Sequence, residues 1–185
     1  MVCMMNGETE LHGVELYTPQ VFGDKRGWFK ENWRENGPLG KYNFVQENVS
    51  KSQKGVLRGL HFQSPKAQGK LVTVLNGSAL DVIIDLRPDS PTYLEAENFL
   101  LTDVNGYQLY VPKGFGHGFL SLEDDTVFHY KCTDYYDPEG EYCLRWDNEI
   151  TQNLWYGVPH SFILNVSEKD KGGMNLDKCL ENNHF

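Results

Sequence analysis

Arg58 and His61 stand three residues apart in VLRGLHFQ, residues 56–63, with Gly59 between them. The surrounding residues are apolar and read as a strand. Two readings fit. The polar residues face water on a plain strand, or a cation and a titratable ring converge on an anionic ligand. Other groups of the kind such a site uses are Lys70 in AQGKLV, Tyr130 in VFHY and Asp170 in SEKDKG. They supply a second cation, a phenol and a carboxylate. Spacing alone does not bring the four together. Taken singly, each has an ordinary explanation: a histidine satisfied within its strand, a lysine at a strand start, a tyrosine in an aromatic run, an aspartate in a surface turn.

A metal centre would ask for more. Two histidines at HxH spacing fall on one face of a strand and can share an ion. Here the segment is His61-Phe62-Gln63, with one histidine, while His117 in GFGHGF and His129 in VFHY have no clustered partner. No bound metal is expected.

The elements that must position these residues are strands. LVTVLNGSALDVIIDL, residues 71–86, holds two alternating runs around Asn76-Gly77, a pair that signals a hairpin because both positions tolerate positive φ. In the second run Leu80, Val82, Ile84 and Leu86 share one face, and Asp81, Ile83 and Asp85 the other. Residues 106–122 read as strand, turn, strand, and 125–136 as another strand. Turn signals recur about every ten residues, which suggests a β-sandwich or small barrel. Helical periodicity is weak. Short helical turns are expected only over Glu31 to Asn36 and in the C-terminal tail.

Composition narrows the classes. A chain of 185 residues with 39% hydrophobic and 13% aromatic content suits one globular domain, residues 1–185. A net charge of −9 supplies no basic field for nucleic acid. An anionic small ligand would need a local cluster of Arg and Lys. The start, MVCMMNGETELHG, has no basic opening and no long apolar run, so neither export nor a membrane anchor is expected, and the cytoplasm is the expected location. Cys3, Cys132, Cys143 and Cys179 are expected as free thiols.

VLRGLHFQ, AQGKLVTVLNG, DLRPDSPTY, VPKGFGHGF, YKCTDYYDPEGE and the late SEKD occur in the same order as in a known family, with GDKRGWFKENW and VQENVSKS before them. From about Gly13 to Asp170 the chain resembles the dTDP-4-dehydrorhamnose 3,5-epimerase family, the RmlC type. The resemblance implies an all-β, cupin-like antiparallel β-barrel (jelly roll) with short peripheral helices. It implies a homodimer that exchanges N-terminal strands, and no cofactor. The partner it implies is a nucleotide-linked 4-keto-6-deoxy sugar, inverted at C3 and C5. Two other outcomes stay open on these motifs: inversion at one centre of a related sugar, and a non-catalytic nucleotide-sugar-binding barrel.

The chemistry explains the residue types. The C4 ketone acidifies the hydrogens on C3 and C5, so inversion needs a base on one face and an acid on the other. By resemblance His61 is the base, Asp170 its partner, Tyr130 the opposing acid, and Lys70 the cation at the C4 oxygen. Arg58 falls on the diphosphate side, and Gly59 allows close approach to the ligand. Arg26, Glu31, Gln46, Glu47, Asn48, His117, Glu141 and Lys169 match substrate-binding positions. Either Tyr135 or Tyr136 stacks on the nucleotide base. Three departures stand out: Gly116 for alanine, Glu47 for aspartate, and an irregular segment after Trp146.

Overall fold

The protein is described here from a computed structural model, which covers residues 9–155, 162 and 165–181. β-Branched and aromatic runs form strands, and the strands form two large sheets. One sheet has the order β1 (Glu15–Tyr17), β9 (Gln108–Val111), β6 (Lys70–Asn76), β11 (Thr126–Cys132), β4 (Gln46–Ser52). The other runs β12 (Glu141–Cys143), β5 (Val56–Gln63), β10 (Phe115–Ser121), β7 (Ser78–Asp85), β8 (Ala96–Thr102). A short β13 (Asn165–Val166) joins β5 in parallel, and β2 (Val21–Asp24) and β3 (Gly27–Lys30) make a separate hairpin. The expected jelly-roll class holds, as two facing sheets. Among the described residues no closed ring of strands joins them.

Between the sheets lies a core of Val72, Val74, Leu109 and Phe128 from one side and Ala79, Ile83, Phe99, Phe115 and Phe119 from the other. A second core covers the outer face of the six-stranded sheet. There Leu57, Leu60, Leu80, Val82, Ile84 and Leu86 pack under Leu144, Trp155, Leu176 and Cys179. The two faces of 80–86 therefore separate as the alternation requires, and every residue of β7 is buried. Each large apolar side chain buried this way contributes about 1.5–3 kcal/mol relative to exposure.

Asn76-Gly77 departs from expectation. Gly77 has φ +79°, as an Asn-Gly turn needs, but β6 and β7 belong to different sheets. Both strands send side chains into the core between the sheets, so the chain folds one layer over the other instead of pairing. Residues 31–36 form no helix; a turn follows, closed by the Gly37 N–H on the Arg34 carbonyl. The C-terminal tail does carry helices, α1 (Glu168–Lys171) and α2 (Leu176–Glu181). Cys132, Cys143 and Cys179 are free and buried; Cys3 lies outside the described residues. No helix among the described residues is long and apolar enough to cross a membrane.

Candidate active site

The spacing of Arg58 and His61 has a local cause. Along β5, Phe119 pairs with Arg58 but His117 pairs with His61, so β5 carries one residue more than β10 between these points. The bulge resets the alternation. Leu57, Leu60 and Phe62 stay in the outer core, while Arg58 and His61 come to the same, inner side. Gly59 sits in the bulge at φ +117°, and a Cβ there would meet Gly118 Cα at 2.5 Å. The close approach that Gly59 permits within the fold is to β10.

Arg58 and His61 open into a cavity of about 390 Å³ between the sheets. From the five-stranded sheet come Gln46, Asn48 and Ser50 of β4, Lys70 of β6 and Tyr130 of β11. His117 of β10 stands beside His61, and Tyr136, Glu141 and Lys169 complete the wall. Of the expected local cations, Arg58, Lys70 and Lys169 are present in the cavity.

Asp170 stands behind His61. Its Oδ1 lies 2.6 Å from His61 Nε2, and its Oδ2 accepts from the Ser167 hydroxyl at 2.8 Å. Pairing of β13 with β5 delivers α1 to this position, and Ser167 caps α1 by accepting the Asp170 N–H. Burial would push the Asp170 carboxyl up, but hydrogen bonds from His61, Ser167 and Cys143 outweigh it and hold it below the usual carboxylate range. Asp170 is thus an ionised partner at neutral pH. With Nε2 engaged, Nδ1 is the ring nitrogen left to take a proton.

Burial pushes the Tyr130 hydroxyl up, so it keeps its proton at neutral pH. Burial also pushes the Lys70 ammonium down, and the nearby acidic groups Glu141 and Asp81 oppose that shift. At the mouth, Glu141 accepts from Tyr136 at 2.7 Å and from Lys169. Tyr136, not Tyr135, is the tyrosine at this wall.

Three expected residues are not brought here within one chain. Glu47 alternates away from Gln46 and Asn48 and binds His129 at 2.5 Å and Lys131 at 2.9 Å. Arg26 tips the β2–β3 hairpin and pairs with Asp24. Glu31 pairs with Arg34. Two contacts have no counterpart in the sequence reading: Ser167 on Asp170, and Asp81 Oδ2 at 2.8 Å from His117 Nε2. The pattern Ser167-x-x-Asp170 is a helix-cap signature that would have found the first.

His61, Cys143 and Asp170 place their donor atoms within 4.8 Å of one another. The 2.6 Å between His61 and Asp170 is a hydrogen-bond distance. Donor atoms on one tetrahedral zinc stand farther apart, roughly 3.3 Å.

Two layers of antiparallel sheet enclosing a histidine–aspartate pair, a protonated tyrosine and a lysine define an acid–base active site. The family model described as dTDP-4-dehydrorhamnose 3,5-epimerase matches residues 8–178. The epimerase of that name from Methanothermobacter thermautotrophicus is 43% identical over 171 residues, 89% of this chain and 90% of that protein. That of Escherichia coli K12 is 42% identical over 177 residues, 93% of this chain and 94% of that protein. The crystal structure of RmlC from Legionella pneumophila in complex with dTDP-4-keto-L-rhamnose superposes with TM-score 0.82 at 40% identity, covering 91% of this chain and 90% of that one. The chain belongs to the dTDP-4-dehydrorhamnose 3,5-epimerase family.

Proposed function

We propose that the chain converts dTDP-4-dehydro-6-deoxy-D-glucose to dTDP-4-dehydro-L-rhamnose by inverting C3 and C5, without a cofactor. The observation that carries this reading is the His61–Asp170 pair at 2.6 Å, set in one cavity with Tyr130 and Lys70. His61 removes the proton next to the C4 ketone, and Asp170 stabilises the imidazolium that results. The C–H electron pair moves into an enolate whose oxygen faces Lys70. Charge developing there is stabilised by a cation already in place. Tyr130 returns a proton to the opposite face of the carbon, and solvent resets both groups.

Arg58 and Lys169 give the diphosphate its counter-charge, with Gln46, Asn48, His117 and Glu141 around the rest of the ligand. Tyr136 is the stacking surface for the base. A homodimer fits the remaining residues. Phe22, Trp28 and Phe29 on the β2–β3 hairpin are 55%, 57% and 67% exposed, more apolar surface than one hairpin keeps uncovered in water. The partner's hairpin would bring Arg26 and Glu31 to this cavity. The working unit is one domain per chain, in the cytoplasm.

Proton NMR of the product tests the proposal. Both centres should be inverted when dTDP-4-dehydro-6-deoxy-D-glucose is the substrate. Inversion at one centre would make the chain a mono-epimerase, and binding without conversion would make it a nucleotide-sugar-binding barrel.

A further inference from the structure

Asp81 lies in the middle of β7 and is fully buried. Its Oδ2 is 2.8 Å from His117 Nε2, and among the described residues its Oδ1 has no hydrogen-bond partner. A buried carboxylate with an unfilled oxygen is costly, and an aliphatic residue would pack this strand more cheaply. His117 is nearly buried too, lines the cavity, and is the direct cross-strand neighbour of His61. Two histidine–carboxylate pairs thus stand side by side. The mechanism above uses one of them. The negative charge of Asp81 also reaches Lys70.

We infer that Asp81 is a positioning residue for epimerisation: it holds the Nε2–H of His117, so that the Nδ1 edge of that ring is the one offered to the sugar. The inference rests on the epimerase reading. The Nδ1 lone pair then accepts a hydroxyl hydrogen of the sugar and holds the C4 oxygen against Lys70, while the His61–Asp170 pair moves the proton. Fixing a ring through its far nitrogen is a common way to set tautomer and orientation together.

Asp81→Asn keeps the shape and removes the charge. It should slow solvent exchange at both H3 and H5 by roughly tenfold to a hundredfold, the scale of losing the partner that orients a ring, with dTDP affinity unchanged. Because Asp81 acts through His117, adding Asp81→Asn to His117→Asn should slow that variant no further. Exchange at the wild-type rate in Asp81→Asn, or fully additive losses in the double variant, overturns the inference. Nitrogen-15 NMR of the wild-type protein decides the matter even if Asp81→Asn does not fold. The His117 ring, assigned by its absence in His117→Asn, should carry a proton on Nε2; a bare Nε2 overturns the inference. If the wild type exchanges neither proton, the epimerase reading has failed, and the ring-nitrogen spectrum still reports on the Asp81 contact.

Discussion

His61 and Asp170, 109 residues apart in the chain, meet at 2.6 Å. The contact depends on β13 lying along β5 and on the Ser167 cap that turns α1. Asp170→Asn should leave the fold intact and lower kcat by about a thousandfold or more, since an amide no longer stabilises the imidazolium or enforces the tautomer. Ser167→Ala should cost less, about tenfold. Steady-state kinetics on both variants check the order; an equal loss from both would place the effect in α1 and not in the carboxylate.

Tyr130 and His61 are expected to separate abstraction from reprotonation. Tyr130→Phe removes only a hydroxyl. Product formation should fall about a hundredfold, while exchange of the sugar protons with D2O falls much less because His61 still works. Comparing the two rates in one sample checks the assignment, and equal losses would remove Tyr130 from the role of opposing acid.

Gly59 is expected to be a folding position. Alanine there would adopt φ +117° and meet Gly118 Cα at 2.5 Å. The strain and overpacking together should cost about 3 kcal/mol or more. A urea midpoint measures it, and a variant with unchanged stability would show that the bulge tolerates a side chain.

Glu47 should matter to acid stability and not to turnover. Its carboxyl is held down at about 2 by hydrogen bonds from His129 and Lys131, below the ordinary value of 4.5. Between about pH 4.5 and 2 the unfolded chain binds the proton that the folded chain refuses, so stability falls as pH falls through that window. Above it the contribution is fully present. More than half of the Glu47 side chain is exposed, so solvent screening keeps the effect small, under about 1 kcal/mol. Glu47→Gln should flatten the acid limb of a melting-temperature profile in this range. A loss of turnover at neutral pH would instead return Glu47 to the substrate site.

The sequence carried much of this arrangement, and where it failed the cause is tertiary. Period two was enough to assign both faces of residues 80–86, because a strand buried on both sides still alternates between two distinct cores. His61, Lys70 and Tyr130 were legible as residue types, and the family motifs named their roles; alternation alone could not place them, since a bulge changes the phase of β5. Asn76-Gly77 encodes a turn but not what the turn connects, and here it connects two sheets. Alternation along β4 sends Glu47 away from Gln46 and Asn48, yet the motif VQEN groups all three. Asp81 read as one member of an inner face, and its contact with His117 appears only when β10 is laid beside β7.

The central claim is that His61 is the base for both centres. Proton NMR in D2O with dTDP-4-dehydro-6-deoxy-D-glucose follows the H3 and H5 signals directly. Both should disappear with the wild-type protein and both should persist with His61→Ala, which should keep its dTDP affinity because Arg58 and Lys169 remain. Loss of either signal in His61→Ala at a rate near that of the wild type would contradict the account.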